Sequence, residues 1–476
     1  MLRWLLLLPL TVSAADIDAR PTDGTAPLHW AVRNDDLATA DKLIRAGADV
    51  KVADRYGVTP LYLACTNASV PMIRKLLDAG ADPNAAYATN GETPIMTVIH
   101  AEDNVDALKA LLDHGANVNL KDTVVGETAL MWAVRENRSA SAKLLLDRAA
   151  ELDVRTRIGK TPASRPPNAG GGSHGAGIVR SGWPDRGFQD ATPGGMTALL
   201  YAARAILVRP SRALVDAKAN VNLAEANGLT PLMLAILNNH IDLANDLLQR
   251  GADVNVRDSW GRTPLWAAVE LRNLDIDKSG ENGVDRAAAL KLITALIDRG
   301  ANVNARTQEV PPIRRWIEPV GDLSWVDFTG QTPFLRAALS GDITVMRLLL
   351  EHGADPNIGT FAGTTPLLAA AGVNWVGGQT YTESKESQME AVKLCLEKGN
   401  DVNAMNSMGI GVVIGAVNRG SDDILQFLVQ KGARLDVKDN EGRTPMVWAE
   451  GVFLATNPPE RKPSTVALLE KLGAGK

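Results

Sequence analysis

The sequence has few of the residues from which catalytic and metal sites are built. Its 476 residues include two cysteines and six histidines, and aromatic side chains make up 4% of the chain. His100 and His174 have no cysteine or acidic residue at metal-ligand spacing, and neither an HExxH nor a CxxCH motif occurs. We therefore expect no catalytic residue, no cofactor and no metal, and the sequence predicts a protein that is not an enzyme.

Positive charge and long apolar runs are also scarce. The net charge is −5 and no long run of Lys and Arg appears, so the sequence lacks the basic footprint of a nucleic-acid-binding protein. The apolar run from Trp4 to Leu10 is far shorter than the roughly 20 residues of a membrane-spanning helix. The sequence predicts no nucleic-acid partner and no membrane span.

The N-terminus has the composition of a secretory signal. Arg3 precedes the apolar run, and the small residues Val12-Ser13-Ala14 follow it before Asp16. That order of charge, short apolar core and small-residue exit predicts a signal peptide over residues 1–15 and a periplasmic or secreted protein. A buried first strand or helix is the alternative. Cys65 and Cys395 are far apart in the sequence, and we expect buried free thiols, not a disulfide.

Two short phrases recur along the chain. Gly-x-Thr-Pro-Leu begins at Gly57, Gly228 and Gly261, and Pro27 and Pro60 stand 33 positions apart, as do Pro231 and Pro264. A second phrase, Gly-Ala-Asp/Asn-x-Asn, follows at a fixed offset; it begins at Gly80, Gly115, Gly251 and Gly353. A period of this length indicates a repeat protein whose units stack into a continuous core.

Each phrase has a physical reading. Thr before Pro favours a helix start, because the hydroxyl caps a free N–H and Pro fits the first turn. Paired leucines such as Leu76-Leu77 precede a glycine and predict the end of a second, antiparallel helix. The glycine suits a left-handed position at the helix C-terminus. We expect the residues after it to form a hairpin finger leading to the next Thr-Pro.

These phrases resemble the ankyrin repeat, and Thr25-Ala26-Pro27-Leu28-His29 is close to that family's Thr-Pro-Leu-His signature. The resemblance covers nearly everything after residue 23. It implies an all-α solenoid of about eleven helix-turn-helix repeats with β-hairpin fingers. It also implies a protein that acts through contacts with other proteins along its concave groove.

Departures from the repeat divide the chain. Ala149 and Lys218 replace the turn glycine on either side of a Gly/Pro-rich insert, and Gly411-Val412 replaces Thr-Pro, so we expect the helix that starts there to fray. The predicted organisation is repeats 1–4 over 16–163, the insert over 164–195, and repeats 5–11 over 196–476, with further inserts near 273–284, 307–327 and 373–387.

Aromatic residues mark the candidate binding surface. Trp30, Trp132 and Trp448 follow the signature histidine position, so they are expected to pack in the core. Large aromatics at finger positions and in the inserts are the predicted partner-binding residues: Tyr56, Trp260, Trp316, Trp325, Phe328, Phe361 and Trp375. The alternative is that the insert aromatics fold back on the solenoid as a small core of their own.

The sequence therefore favours a non-catalytic scaffold that binds a protein partner along its concave face. One alternative is a small-molecule-binding or enzyme-accessory protein that uses the Trp-rich inserts as a pocket. Another is a structural element of the cell envelope without a specific ligand.

Overall fold

The computed structural model describes residues 22–158, 194–205, 207–274, 283–309, 327, 329–375, 380–382, 384–452 and 460–474. Over these residues the chain forms helices joined by turns, without a β-strand. It divides into two compact units. The first comprises Met1–Pro162 and Thr192–Ala226, and the second comprises Ala163–Ala191 and Asn227–Lys476.

The described part of the first unit holds ten helices. They are α1 Pro27–Arg33, α2 Leu37–Arg45, α3 Pro60–Thr66, α4 Val70–Asp78, α5 Pro94–Ala101, α6 Val105–Asp113, α7 Ala129–Arg135, α8 Ser139–Asp147, α9 Ala198–Arg204 and α10 Val208–Asp216.

The described part of the second unit holds twelve. They are α11 Pro231–Leu237, α12 Ile241–Gln249, α13 Pro264–Arg272, α14 Arg286–Asp298, α15 Pro333–Ser340, α16 Ile343–Glu351, α17 Pro366–Ala371, α18 Lys385–Glu397, α19 Val412–Arg419, α20 Asp422–Gln430, α21 Pro445–Gly451 and α22 Pro463–Leu472.

In eight of the pairs the first helix starts at a threonine cap, as the sequence predicts, whereas Ala26 before α1 and Thr93 before α5 make no such bond. Thr59 has extended backbone angles, and its hydroxyl accepts a hydrogen bond from the Tyr62 N–H at 3.1 Å. The same cap forms at Thr128, Thr197, Thr230, Thr263, Thr332, Thr365 and Thr444. At α19 the cap position is Gly411, which has no side chain to accept the bond.

The second helix of each pair ends at a left-handed residue. Gly80 has φ +94°, and the next N–H, that of Ala81, returns to the Leu76 carbonyl at 2.9 Å. Ala149 and Lys218 occupy the equivalent position with φ +60° and +71°. The predicted turn therefore persists without glycine, although a Cβ in this region costs about 1–2 kcal/mol.

Within each unit the helices stack in two rows. In the first unit the odd-numbered helices α1 to α9 contact one another in succession, and the even-numbered helices form the second row. The second unit repeats this order from α11 to α21. Leu76 and Leu111 are fully buried where the rows meet, and so are Cys65 and Cys395, both free thiols. The expectation of buried, unpaired cysteines is confirmed.

The fingers are tighter than the β-hairpins predicted for them. A typical finger is closed by one cross-turn hydrogen bond, as from the Asp258 N–H to the Arg262 carbonyl at 3.1 Å. Isolated bridges such as Lys121–Thr128 and Met405–Gly411 add single pairings. In a typical finger too few residues separate the two ends for a ladder, and the hairpin form is not confirmed in the described part of the chain.

An asparagine ladder joins successive repeats. The Asn84 Nδ2 donates to the Gly115 carbonyl at 3.1 Å, and its Oδ1 accepts from the Asn117 N–H at 2.7 Å. The same pair of bonds forms at Asn255, Asn304 and Asn403. The last residue of the Gly-Ala-x-x-Asn phrase therefore fixes each turn to the next one along the stack, a role that sequence reasoning missed.

Candidate functional site

Two of the most exposed aromatics lie on the first helix and finger of the first unit. Trp30 is 51% exposed and Tyr56 is 54% exposed. The Arg33 guanidinium carbon lies 5.7 Å from the Trp30 ring centroid, and that of Arg55 lies 4.6 Å from the Tyr56 ring. Both distances are in the range of cation–π contact. Exposed rings covered by guanidinium groups therefore mark this surface.

The exposure of Trp30 corrects the expectation that it packs in the core. The equivalent Trp448 is 3% exposed, and its Nε1 donates to the finger carboxylate of Asp439 at 2.9 Å. Trp132 is half-buried, and its Nε1 makes a longer contact of 3.5 Å with Asp122. The sequence has Pro at position 21, where α1 would need the corresponding Asp. Burial of an indole is favoured when its N–H has a partner, and this repeat has no aspartate at the position that supplies one in the others.

Further ring contacts continue this surface along the first unit. Tyr62 and Tyr87 stack with centroids 4.8 Å apart, and His100 meets Trp132 edge-on at 5.8 Å. The Arg135 guanidinium carbon lies 5.0 Å from the Trp132 ring centroid. We call Trp30, Arg33, Arg55, Tyr56, Trp132 and Arg135 the Arg-aromatic row.

Carboxylates near this row are engaged in the finger turns. Asp54 Oδ1 accepts from the N–H groups of Tyr56 and Val58 at 2.8 and 2.9 Å. Asp122 accepts from the four successive N–H groups of residues 124–127 at 2.8 to 3.0 Å. Glu127 is buried between Arg135 and the Tyr201 hydroxyl. These carboxylates shape the turns, whereas Arg33 and Arg55 are exposed residues.

The finger aromatics of the second unit differ in exposure. Phe361 is 60% exposed, with the Arg306 guanidinium carbon 4.3 Å from its ring centroid. Trp260 is half-buried, and Arg262 lies 5.2 Å from its ring centroid. Arg262 is itself buried and pairs with Asp258 at 2.6 Å. Of these two predicted partner-binding residues, Phe361 has more of its ring open to a partner than Trp260.

Three inserts of the second unit meet one another. Leu274 and Thr380 form an isolated bridge, joining the insert near 273–284 to the insert near 373–387. Asp327, at the end of the insert near 307–327, exchanges hydrogen bonds with Asn374: Asp327 N–H to Asn374 Oδ1 is 3.2 Å and Asn374 Nδ2 to the Asp327 carbonyl is 3.1 Å. The sequence placed these inserts separately, and only the fold brings them together.

Trp375 folds back onto the solenoid, as the alternative for the insert aromatics described. It is half-buried and packs on Leu335, Leu339 and Ala369 of the helices beneath it. The Arg419 guanidinium carbon lies 5.2 Å from its ring centroid, and burial lowers the pKa of Arg419 to about 10. The other predicted insert aromatics, Trp316 and Trp325, and the finger residue Phe328, lie outside the described residues.

A small polar cavity lies beneath these inserts. Its volume is about 90 Å³, and it is lined by Arg272, Asn273, Arg286, Ser340, Asp342 and Tyr381. Arg272 pairs with Asp342 at 2.8 Å. A cavity of this size is well below the roughly 300–1,000 Å³ of sites for drug-sized ligands. A wider depression of about 430 Å³ lies between α14 and α16, away from the predicted site residues.

The described residues contain no group of three His, Cys, Asp or Glu side chains placed to hold a metal ion. Burial raises the pKa of the Cys395 thiol to about 12, and it raises that of Cys65 further, so neither is a thiolate at neutral pH.

Among the described helices, none combines the length and apolar composition that crossing a bilayer requires. Residues 171–175 read Gly-Gly-Ser-His-Gly, a nucleophile-elbow pattern, and they lie outside the described part of the chain.

Comparison with known proteins gives one consistent family. A model described as ankyrin repeats in three copies matches residues 1–87, 83–156, 178–258 and 212–307, and an ankyrin-repeat model matches 329–358. Ankyrin repeat domain-containing protein 46 of Rattus norvegicus is 33% identical over 129 residues, which are 26% of this chain and 49% of that protein. An ankyrin repeat and KH domain-containing protein of Caenorhabditis briggsae is 32% identical over 123 residues, which are 25% of this chain and 4% of that protein. These matches span less than half of each relative's length.

Two solved structures are similar. The ankyrin repeat domain of Bcl-3 gives a TM-score of 0.41 at 23% identity, covering 52% of this chain and 94% of that chain. The ankyrin repeat domain of human ASB11 gives a TM-score of 0.41 at 19% identity, covering 61% of this chain and 100% of that chain.

Proposed function

The chain belongs to the ankyrin-repeat family, and we propose that it is a non-catalytic scaffold that binds a protein partner along its fingers and first helices. Ankyrin repeats are in general protein-interaction modules, and the described part of each unit is an all-helical stack of such repeats. Exposed rings beside arginines at finger positions are the observation that supports a binding surface in each unit: Tyr56 in the first and Phe361 in the second are each more than half exposed.

Large aromatics are unfavourable when left in water, and rings stacked with arginine are common at the centres of interfaces. A partner of ordinary size covers about 800 Å² on each side, which several adjacent fingers can provide. The finger-to-finger hydrogen bonds, such as Phe361 N–H to the Thr329 carbonyl at 3.1 Å, hold neighbouring tips in register. The surface is therefore preorganised, which lowers the entropic cost of binding.

Replacing Trp260 and Phe361 by Ala tests this placement. We expect the double variant to lose capture of a partner when the protein is crosslinked in extracts of its own cells, because both rings belong to the proposed surface. Thermal unfolding should change little, since Phe361 is exposed and Trp260 is only half-buried. Unchanged capture by this variant would contradict the placement.

Phe427→Ala is the matched control. Phe427 is a half-buried aromatic on α20, in the second row of helices, and the Nζ atoms of Lys393 and Lys431 lie 5.7 and 5.5 Å from its ring centroid. It resembles the finger aromatics in size and charge environment but lies on the other row. Capture should survive this change. A failure of the wild-type protein to capture any partner would instead favour a structural role in the envelope.

A small-molecule or enzyme-accessory role is not favoured. The described cavity beneath the inserts is too small for a typical metabolite, and Trp375 packs on the helices below it. A saturable tryptophan-fluorescence response to a metabolite would support this alternative. Trp316, Trp325 and Phe328 remain proposed partner contacts.

Export remains part of the proposal. The signal-peptide composition of residues 1–15 supports a periplasmic or secreted protein. N-terminal sequencing of the protein recovered from a fractionated culture tests it. We expect the mature chain to begin at Ala15 or Asp16, and an intact Met1 in the exported fraction would contradict signal cleavage.

A further inference from the structure

The Arg-aromatic row of the first unit combines charge and apolar surface in one pattern. Arg33 and Arg55 lie against the exposed rings of Trp30 and Tyr56. Arg55 also donates a hydrogen bond from its Nη2 to the Tyr56 hydroxyl. A guanidinium that lies against a ring keeps the remaining N–H groups of its planar fork available to a ligand. Such a group is held in place before binding and can grip a carboxylate with two parallel hydrogen bonds.

The same pattern continues at the later fingers of this unit. Val124 and Ile158 are 63% and 61% exposed at finger tips. Arg157 is exposed beside Ile158, and its guanidinium donates to the Thr123 carbonyl at 2.7 Å, which fixes it against the preceding finger. Positive groups and apolar side chains therefore both lie along the finger edge.

The local carboxylates do not neutralise this edge completely. Asp54 and Asp122 are used by backbone N–H groups of their own fingers. Among the described residues, the ion pairs of the row are those of Arg135 with Glu127 and Glu136. Hydrogen bonds from Thr25, together with the charge of Arg55, lower the pKa of the exposed Asp23 carboxyl, so Asp23 partly offsets the charge of Arg55. The complementary ligand must therefore supply negative charge opposite Arg33, Arg55 and Arg157.

We propose that the Arg-aromatic row, with the finger tips at Val124 and Ile158, binds an extended acidic segment of a partner protein in which Asp or Glu alternates with apolar side chains. This inference rests on the scaffold function proposed above and specifies the chemistry of the partner. Aliphatic tips favour a peptide over a nucleic-acid strand, because bases stack on aromatic rings and do not stack on Val or Ile.

Two synthetic 14-residue peptides test the proposal against the full chain by fluorescence polarisation. One alternates Asp or Glu with Leu or Phe, and the other carries Asn and Gln at the acidic positions. We expect the acidic peptide to bind about tenfold more tightly or better, because hydrogen bonds between a guanidinium and a carboxylate are stronger than those to a neutral amide. Its affinity should fall between 50 and 300 mM salt, since exposed charges are screened.

Variants locate the site. Arg33→Gln and Arg55→Gln should each weaken the acidic peptide by about fivefold to tenfold, and Arg55→Lys should fall between because it keeps charge but loses the fork. Arg74→Gln, an exposed arginine on α4 in the second row, should bind like the wild type. Urea unfolding of each variant checks that the fold is intact.

Equal binding of both peptides would overturn the inference, and so would a loss at Arg74 equal to that at Arg55. An oligothymidylate that displaces the acidic peptide at similar concentration would assign the row to nucleic acid instead. Any of these outcomes would overturn the acidic-segment proposal alone. The scaffold proposal is tested separately, by whether the double variant of Trp260 and Phe361 loses capture of a partner.

Discussion

At the scale of single residues, the finger glycines show where one repeat rests on the next. Gly91 has φ +71°, and a Cβ there would lie 2.5 Å from Thr123 Cγ2 and 2.6 Å from its backbone nitrogen. Gly115 has φ +87°, but a Cβ there would meet no atom within 4 Å. Both positions require a left-handed backbone conformation. At Gly91 there is in addition no room for a side chain, whereas at Gly115 there is.

Alanine at these two sites should separate the two requirements. Gly115→Ala should lower the free energy of unfolding by about 1 kcal/mol, the cost of a left-handed alanine. Gly91→Ala should cost more, about 2–4 kcal/mol, because the finger of Thr123 must also move. Urea unfolding measures both. Equal losses would show that the fingers are not packed as the structure describes.

Two histidines give opposite dependences on pH. Burial lowers the pKa of His240, whose Nε2 is buried and has no hydrogen-bond partner among the described residues. Protonation therefore favours the unfolded chain, and stability is lost as pH falls through the unfolded value of about 6.5. His240→Leu should flatten the fall in the unfolding midpoint between pH 7.5 and 5. An unchanged pH profile in this variant would contradict the burial of that ring.

His114 serves as the comparison. Hydrogen bonds to the Ala110 carbonyl and the Asp78 carboxylate, at 2.7 and 3.0 Å, raise its pKa. Its contribution is therefore present below about pH 6.5 and is lost as pH rises through the raised folded value. His114→Gln should destabilise the protein more at pH 5.5 than at pH 8.5. The reverse order would show that the ring does not meet Asp78.

At the scale of the helix and turn, local signals in the sequence were enough to predict the helix ends that depend on their own residues. Thr before Pro predicted the starts of α3 and α11, and the turn glycines predicted the ends of the second helices. Contacts between distant residues were not predictable from the same signals. The bridge between Leu274 and Thr380 joins two inserts across an intervening repeat, and nothing in either segment encodes that pairing.

The missing cap of α19 gives a prediction at this scale. Gly411 has extended angles, φ −107° and ψ −177°, and a Cβ there would make only ordinary contacts at 3.4 Å or more. Gly411→Thr should place a hydroxyl near the Ile414 N–H and raise stability by about 1 kcal/mol. Hydrogen exchange in α19 should slow accordingly.

Gly409→Thr in the same finger is its control. Gly409 has φ +74°, and a Cβ there would lie 2.8 Å from Asn440 Oδ1. This change should destabilise the finger. If threonine at 411 and threonine at 409 had the same effect, the assignment of the cap would be wrong.

At the scale of the whole molecule, repetition accounts for both the fold and its candidate site. Each repeat buries its apolar face only against its neighbours, so the core continues from repeat to repeat within a unit. The fold could be predicted because its phrases recur. The site could be predicted only in part: Tyr56 and Phe361 are exposed as expected, Trp375 packs inward, and Trp30 is exposed where packing was expected.

The central claim is that this protein binds a partner through its fingers and first helices. A photo-crosslinking amino acid at Tyr56 or Phe361, compared with one at Phe427 in the second row, tests it most directly in extracts of the protein's own cells. We expect a discrete crosslinked protein from each finger position and none from position 427. Crosslinking from position 427 alone, or from no position, would contradict it.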